Sequence, residues 1–163
     1  MMTDMREADL VPTAAHRELT LSYHDGRTRR VLVIDQEVPY PDGKLIVSRT
    51  DSAGVITHAN QAFVDMSGYE RDELIGESHC ILRHPDMPSA AFRDLWDTVG
   101  RGAKWQGYVK NLRKDGAHYW VFATAIPMSV QAASWATRRY AARRRAPRST
   151  TASRCMRACV PRS

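Results

Sequence analysis

A short segment near the middle of the chain combines three chemically active side chains. Arg83, His84 and Asp86 lie in a hexapeptide that ends at Pro88, and the run Ser89–Gly100 follows it directly. Proline suits the first turn of a helix, because its missing N–H would have no partner there. A cation and an imidazole at the start of a helix can bind an anion or a cofactor. An ordinary capped helix start explains the same residues and is the simpler interpretation on physical grounds alone.

Other kinds of chemistry find little support in the sequence. There is no nucleophile-elbow pattern, no Walker-type phosphate loop and no carboxylate pair at helical spacing in an apolar context, so we expect no enzyme activity. No two histidines have metal-ligand spacing, so we expect no metal centre; the four considered are His58, His79, His84 and His118. Three cysteines, Cys80, Cys155 and Cys159, show no disulfide spacing, which indicates a reducing compartment.

Two pairs of strands are predicted around the hexapeptide. The first pair covers Lys44–Thr50 and Val55–Ala59, joined by a turn that ends at Gly54. The second pair covers Gln106–Arg113 and Ala117–Ile126. Residues 1–33 show no sustained period, so a hairpin and an unstructured leader both stay open. We therefore divide the chain into an N-terminal leader or cap with its linker (1–43), a central domain (44–128) and a tail (129–163).

Three helical segments are predicted between the two pairs of strands. Asn60 is a good N-cap for a helix over residues 61–67, and Arg71–Leu74 makes one further turn. The strongest helix is Ser89–Gly100, whose apolar stripe has i, i+3, i+4, i+7 spacing; its members are Phe92, Leu95, Trp96 and Val99. This order of elements predicts an α+β fold with one antiparallel sheet and helices on one face.

The central domain resembles a PAS domain, and within that superfamily the flavin-binding sensors of bacterial aerotaxis receptors. The hexapeptide with the following helix is the part most specific to that branch. The blocks that carry the resemblance are residues 48–51, 54–60, 63–69, 73–76, 83–96, 105–107, 109–111 and 113–121. The resemblance implies five strands in the spatial order 2-1-5-4-3, with the last strand at the centre of the sheet.

The resemblance also implies a sensory module that binds FAD and reports redox state or oxygen. Arg83, His84, Asp86 and Trp105 match positions that matter for FAD binding in these sensors, and we add Asn60 and Trp96 as candidates. Core filling explains both tryptophans equally well, and helix capping explains Asp86. The surroundings of Cys80 lack the motif of the photoreactive flavin sensors, and the helix Ser89–Gly100 lacks an axial histidine for haem, so we expect redox sensing without photochemistry.

The output of such a module passes to another protein. We expect a partner in trans, such as a chemoreceptor, a histidine kinase or a second copy of the chain. No apolar run approaches 18 residues, so no membrane span is predicted and a cytoplasmic location is expected. A cofactor-free PAS module that dimerises or docks on a kinase is the alternative.

The tail differs sharply in composition from the rest of the chain. Residues 129–163 contain nine arginines and no acidic residue, which leaves 15 basic and 18 acidic side chains in residues 1–128. The overall charge of +6 therefore does not indicate a specific nucleic-acid binder.

A shifted reading frame explains this tail. Suitable codons for Ser134–Ala142 read Val-Gly-Tyr-Thr-Ser-Val-Arg-Arg in another frame, which resembles the last strand of an aerotaxis-type PAS domain. Residues 129–144 show no period-2 pattern and contain several alanines, so we predict that the sheet lacks its central strand. A poorly folded chain with a disordered tail and weak FAD binding would follow, and a non-functional remnant is a further alternative.

Overall fold

The computed structural model describes residues 2–12, 14–23, 25–130 and 134–142, with the backbone alone for residues 129–142. The described strands form two antiparallel sheets. The first is the N-terminal hairpin, made of β1 (His16–Ser22) and β2 (Thr28–Ile34), which pair along their full length. The second sheet has five strands in the order β4-β3-β7-β6-β5; they are β3 (Ile46–Thr50), β4 (Ile56–Ala59), β5 (Trp105–Leu112), β6 (His118–Val130) and β7 (Ser134–Ala142).

Three α-helices connect β4 to β5 and confirm the predicted α+β fold. They are α1 (Gln61–Ser67), α2 (Arg71–Leu74) and α3 (Ser89–Gly100), and short 3-10 helices cover Glu7–Asp9 and His79–Leu82. The side chain of Asn60 accepts a hydrogen bond from the Phe63 N–H, as an N-cap should. Gly68 ends α1 at a φ of 72°, a left-handed conformation that glycine adopts at little cost.

The main core lies between the helices and the inner face of the five-stranded sheet. Residues from α1, α3, β3, β5 and β6 form one apolar cluster. On α3, Leu95 and Val99 are buried, whereas Phe92 and Trp96 are half-buried and pack against the edge of the cluster. The predicted apolar stripe therefore faces the sheet, and Leu95 and Val99 are more deeply buried than Phe92 and Trp96.

The prediction that the sheet lacks its central strand is wrong. Ser134–Ala142 forms β7, which pairs with β3 on one side and with β6 on the other. Strand pairing is a main-chain property, and the edges of β3 and β6 would otherwise expose unpaired N–H and C=O groups. Trp135, Thr137 and Tyr140 also have high strand propensity, which the alanine-rich surroundings concealed in the sequence. The tail beyond Ala142, expected to be disordered, lies outside the described residues.

The N-terminal residues form the hairpin, the first of the two options open for residues 1–33, and it packs on the domain. Val31, Leu32 and Val33 of β2 share an apolar cluster with Leu112 of β5. Gly116 lets the hairpin approach closely, because a Cβ there would lie 3.2 Å from the Leu32 carbonyl oxygen of β2. The hairpin is therefore part of the folded unit.

Candidate functional site

A cavity lies between the inner face of the five-stranded sheet and the helices. Its free room is about 30 Å³, which suits water-sized occupants. Six of the ten residues that line it are apolar, and the other four carry polar groups. The lining residues are Ile46, Ser48, Phe63, His79, Leu95, Val109, Asn111, Tyr119, Val121 and Ala123.

Strand alternation places three of the four polar residues in this cavity. Successive side chains of a strand point to opposite faces, so Ser48 shares the inner face of β3 with Ile46. The same rule puts Asn111 beside Val109 on β5, and Tyr119 beside Val121 on β6. The fourth polar residue, His79, comes from the 3-10 helix that precedes the hexapeptide.

The polar groups of the cavity are only partly satisfied. Ser48 Oγ lies 3.2 Å from His79 Nε2, a hydrogen-bonding distance. The hydroxyl of Tyr119 is wholly buried and makes no hydrogen bond among the described residues. Burial raises the pKa of Tyr119, and the neighbouring Arg113 and Asn111 offset part of that rise. A neutral phenol therefore lines the cavity, with the Asn111 side chain close enough to lower its pKa.

None of the six predicted site residues lines this cavity. Arg83 turns toward the N-terminal hairpin, where its guanidinium lies 5.9 Å from the ring centre of Tyr23. The same guanidinium lies 5.4 Å from the ring centre of Phe92. Arg83 also donates hydrogen bonds to Ser89 Oγ at 2.7 Å and to the Ser22 carbonyl at 3.4 Å. The predicted cofactor ligand thus holds the hairpin against the start of α3.

His84 and Asp86 lie in the same interface. His84 is fully buried, and its Nδ1 accepts a hydrogen bond from the Asp86 N–H at 3.1 Å. The Asp86 carboxylate accepts a hydrogen bond from Lys110 at 2.7 Å and lies 3.5 Å from Arg17 of the hairpin. Partial burial raises the pKa of Asp86, but the Lys110 hydrogen bond and the charges around it outweigh burial and hold the pKa below its usual value.

The remaining three predicted residues have structural contacts. Trp105 is buried and donates from Nε1 to the Asp94 carboxylate at 2.7 Å, which ties β5 to α3. The ring of Trp96 packs against the Gly54 turn, where a Cβ would lie 3.2 Å from it. Besides capping α1, Asn60 accepts from the Val47 N–H and donates to the Leu45 carbonyl.

Sequence reasoning missed the four polar residues of the cavity. The signal that could have found three of them is a polar residue at an inward position of an otherwise apolar strand face. Ser48, Asn111 and Tyr119 all fit that rule once the strand registers are known. His79 carries no such signal, because a 3-10 helix has no long period.

Comparison with known proteins agrees with this architecture. Residues 56–134 match the family model described as PAS fold. The chain is 52% identical over 96 residues to the aerotaxis receptor of Escherichia coli (strain K12), covering 59% of this chain and 19% of the receptor. It is 34% identical over 73 residues to phototropin-2 of Oryza sativa subsp. japonica, covering 45% of this chain and 8% of that protein.

Solved structures show the same fold at lower identity. A PAS domain from Colwellia psychrerythraea superposes with a TM-score of 0.54 at 22% identity, covering 59% of this chain and 83% of that one. The light-state LOV domain of the photoreceptor Aureochrome1 gives 0.58 at 16% identity, covering 69% and 89%. The chain thus spans under a fifth of the two curated relatives but most of these solved domains.

Two further features of the described residues bear on function. None of their helices is both long and apolar enough to cross a membrane. Nowhere among them do three His, Cys, Asp or Glu side chains come together in an arrangement that could hold a metal ion.

Proposed function

We propose that the chain, whose residues 56–134 form a PAS domain, is a sensory signal-transduction module that binds a flavin in the cavity beneath its sheet. FAD is the form that the resemblance to aerotaxis-type sensors implies. The observation that carries the proposal is the cavity itself, with apolar walls and a few convergent polar groups. Such a lining is typical of cofactor sites, in which apolar contact supplies affinity and polar groups fix orientation.

The lining fits a flavin in chemistry, although its room must grow. Val109, Val121 and Phe63 would pack against the faces of the ring system, and the Tyr119 hydroxyl would gain the partner that it lacks. Asn111 offers both a donor and an acceptor to a polar ring edge. About 30 Å³ holds water rather than a tricyclic ring, so Leu95 and Phe63 must move outward with their helices.

A bound flavin supplies a ring whose charge and hydrogen-bonding groups change on reduction. The chain's own residues would convert that change into a shift of shape. Asn111 lies on β5 opposite Tyr119 of β6, and the backbone of Asn111 also bridges to Arg83 of the hexapeptide. A changed hydrogen bond at Asn111 is therefore one step from the residue that holds the N-terminal hairpin. Such a shift requires that each redox state favours a different packing.

The role proposed here is signalling without turnover. The relatives by name include an aerotaxis receptor and a blue-light-activated histidine kinase. We propose that the output passes to a protein of that kind in trans, such as a chemoreceptor or a kinase, or to a second copy of the chain.

The test is the colour and the flavin affinity of the purified chain. The protein should show flavin absorbance bands, either as isolated or after addition of FAD. Asn111→Leu should weaken FAD binding about 5- to 30-fold, the equivalent of about 1–2 kcal/mol. The matched control is His58→Gln, an exposed position on β4, which should leave affinity unchanged. A folded, colourless protein that ignores added FAD would contradict the proposal.

A cofactor-free interaction module is the second candidate function. Two observations favour it: the small room in the cavity, and the commitment of Arg83 and Asp86 to the N-terminal hairpin. It predicts that the folded chain binds a signalling partner equally well with and without FAD. A flavin-dependent change in that binding would exclude it.

A further inference from the structure

Two buried histidines face each other outside the cavity. His84 of the hexapeptide has no exposed surface, and His118 at the start of β6 is 6% exposed. Their ring centres lie 5.5 Å apart, and the rings meet edge to face at 73°. The pair therefore joins the hexapeptide loop to the central sheet at a dry contact.

The hydrogen-bonding atoms of the two rings are complementary. Because Nδ1 of His84 accepts from the Asp86 N–H, the proton of the neutral ring is on Nε2. That Nε2 has no partner among the described residues, and neither has Nδ1 of His118. Buried polar atoms are seldom left unpaired.

The segment that leaves the hairpin pairs with the backbone of His118. We call residues 35–38 the strap. The His118 N–H donates to the Gln36 carbonyl at 2.9 Å, and the Val38 N–H donates to the His118 carbonyl at 2.8 Å. Glu37 bridges to His118 in the same ladder. Two backbone hydrogen bonds therefore hold the strap against the start of β6.

We propose that His84 and His118 form an acid-sensitive latch, in which the neutral pair holds the strap on the domain and protonation of His118 releases it. The species that this latch senses is the proton. The inference does not depend on a bound flavin, because neither ring lines the cavity.

The charges around the pair favour neutral rings in the latched state. Burial lowers the pKa of both histidines, and Lys110 of β5 lowers both further. Arg17 of β1 also opposes a charge on His84, whereas Asp86 favours one. On the strap, Glu37 and Asp35 partly support a charge on His118, as does the Ile34 backbone.

Linkage sets the size of the effect. When the strap lifts, His118 regains a pKa near its usual value of about 6.5, so acid stabilises the open state. If His118 stays neutral in the closed state, the ratio of open to closed molecules should rise about 30-fold between pH 7.5 and pH 5.0 for this one imidazole.

Hydrogen exchange of the full chain measures this ratio. The Val38 amide, corrected for the intrinsic pH dependence of exchange, should lose about 30-fold of its protection between pH 7.5 and pH 5.0. Amides in the middle of α3 report global unfolding and should stay better protected than Val38 at every pH, because strap opening is local. A loss below about threefold at Val38, or protection of Val38 equal to that of α3 at every pH, would overturn the latch.

Two variants separate His118 from general acid effects. His118→Gln should reduce the pH dependence at Val38 to within about threefold, whereas the exposed His58→Gln should retain the 30-fold change. A His118→Gln protein that keeps the full dependence would overturn the proposal. If that variant does not fold, histidine NMR of the unmodified chain decides. If the latch exists, His118 gains its proton only over the pH range in which the Val38 amide loses its protection. A His118 ring that titrates near pH 6.5 while the Val38 amide stays protected would contradict the latch.

Discussion

The hairpin interface and the cavity use their polar groups in opposite ways. At the interface, Arg29 is 3% exposed and donates to the Thr3 carbonyl, the Ile81 carbonyl and the Tyr69 hydroxyl. In the cavity, the equally buried Tyr119 hydroxyl has no partner within the described structure. Each of the three guanidinium nitrogens of Arg29 has a partner, whereas the Tyr119 hydroxyl has none; elsewhere in the interface, Nε2 of His84 is also unpaired within the described structure.

This difference shows that the chemical reactivity of a residue does not by itself reveal its role in the structure. The hexapeptide has the more reactive composition, yet its cation and carboxylate hold the N-terminal hairpin in place. The strands around the cavity look ordinary in sequence, yet they supply polar atoms with room beside them. A site is therefore better recognised by unsatisfied groups near free space than by charged residues in a row.

The largest expected loss of stability comes from a variant in the wall of the cavity. Leu95→Ala removes a fully buried side chain from the cavity wall and should cost about 2–5 kcal/mol of unfolding free energy. Asp97→Ala, on the exposed side of the same helix, should stay within about 0.5 kcal/mol. Urea unfolding of both variants measures the difference. Equal losses would mean that α3 does not pack as described.

The next largest expected loss of stability comes from a variant at the hairpin interface. Arg29→Met keeps much of the side-chain bulk but leaves three acceptors without their donor, so it should cost about 2–3 kcal/mol. The control Arg27→Met removes an exposed pair with Asp25, so it should leave the unfolding free energy nearly unchanged. Urea unfolding with limited proteolysis of the hairpin reports both. An Arg29 variant with wild-type resistance to protease would show that the interface does not depend on this side chain.

Acid should weaken the fold through His84. Burial lowers its pKa to about 3, whereas the unfolded chain binds a proton below about pH 6.5, so between these values the unfolded state carries more protons. Stability therefore falls as pH falls through this window, by roughly 2 kcal/mol from pH 7 to pH 5. His84→Gln should flatten that part of the curve. Unfolding free energies of His84→Gln and of the parent, measured from pH 7 to pH 5, check this. Equal losses of stability in the two proteins would contradict the expectation.

The smallest effect is the sharpest test of the unpaired phenol. Tyr119→Phe removes a hydroxyl that has no partner in the described structure, so unfolding free energy without flavin should change by less than about 1 kcal/mol. Flavin affinity, in contrast, should fall if the hydroxyl binds the ring. Thermal unfolding and FAD titration of the same preparation separate the two roles. A large loss of stability without flavin would indicate a hydrogen bond that the structure does not show.

The predicted and unpredicted parts of the structure differ in physical kind. Helices were predictable because their signals are local: Asn60 caps α1, Gly68 ends it, and the stripe on α3 needs only its own twelve residues. Strands β3 to β6 followed from alternation and turns, with ends shifted by at most four residues.

Properties shared between distant elements escaped the sequence. The cavity needs β3, β5, β6 and α3 at once, so no single stretch announces it. β7 was missed because two strand edges from elsewhere in the chain position it. With β7 present, the open edges that predicted poor folding are absent from the described sheet. The frameshift hypothesis concerns the gene, and its codons for Ser134–Ala142 will decide it.

The position of β7 has a consequence for engineering. A strand whose pairing on both sides uses main-chain groups occupies a slot that is defined largely by its neighbours. A chain that stops at Met128 should therefore accept a separate nine-residue peptide in that slot, as in split-protein complementation. Peptides with the sequence of Ser134–Ala142 and with the shifted-frame sequence would compete for the same slot between β3 and β6. Their relative affinities would show which of the two sequences makes the better central strand.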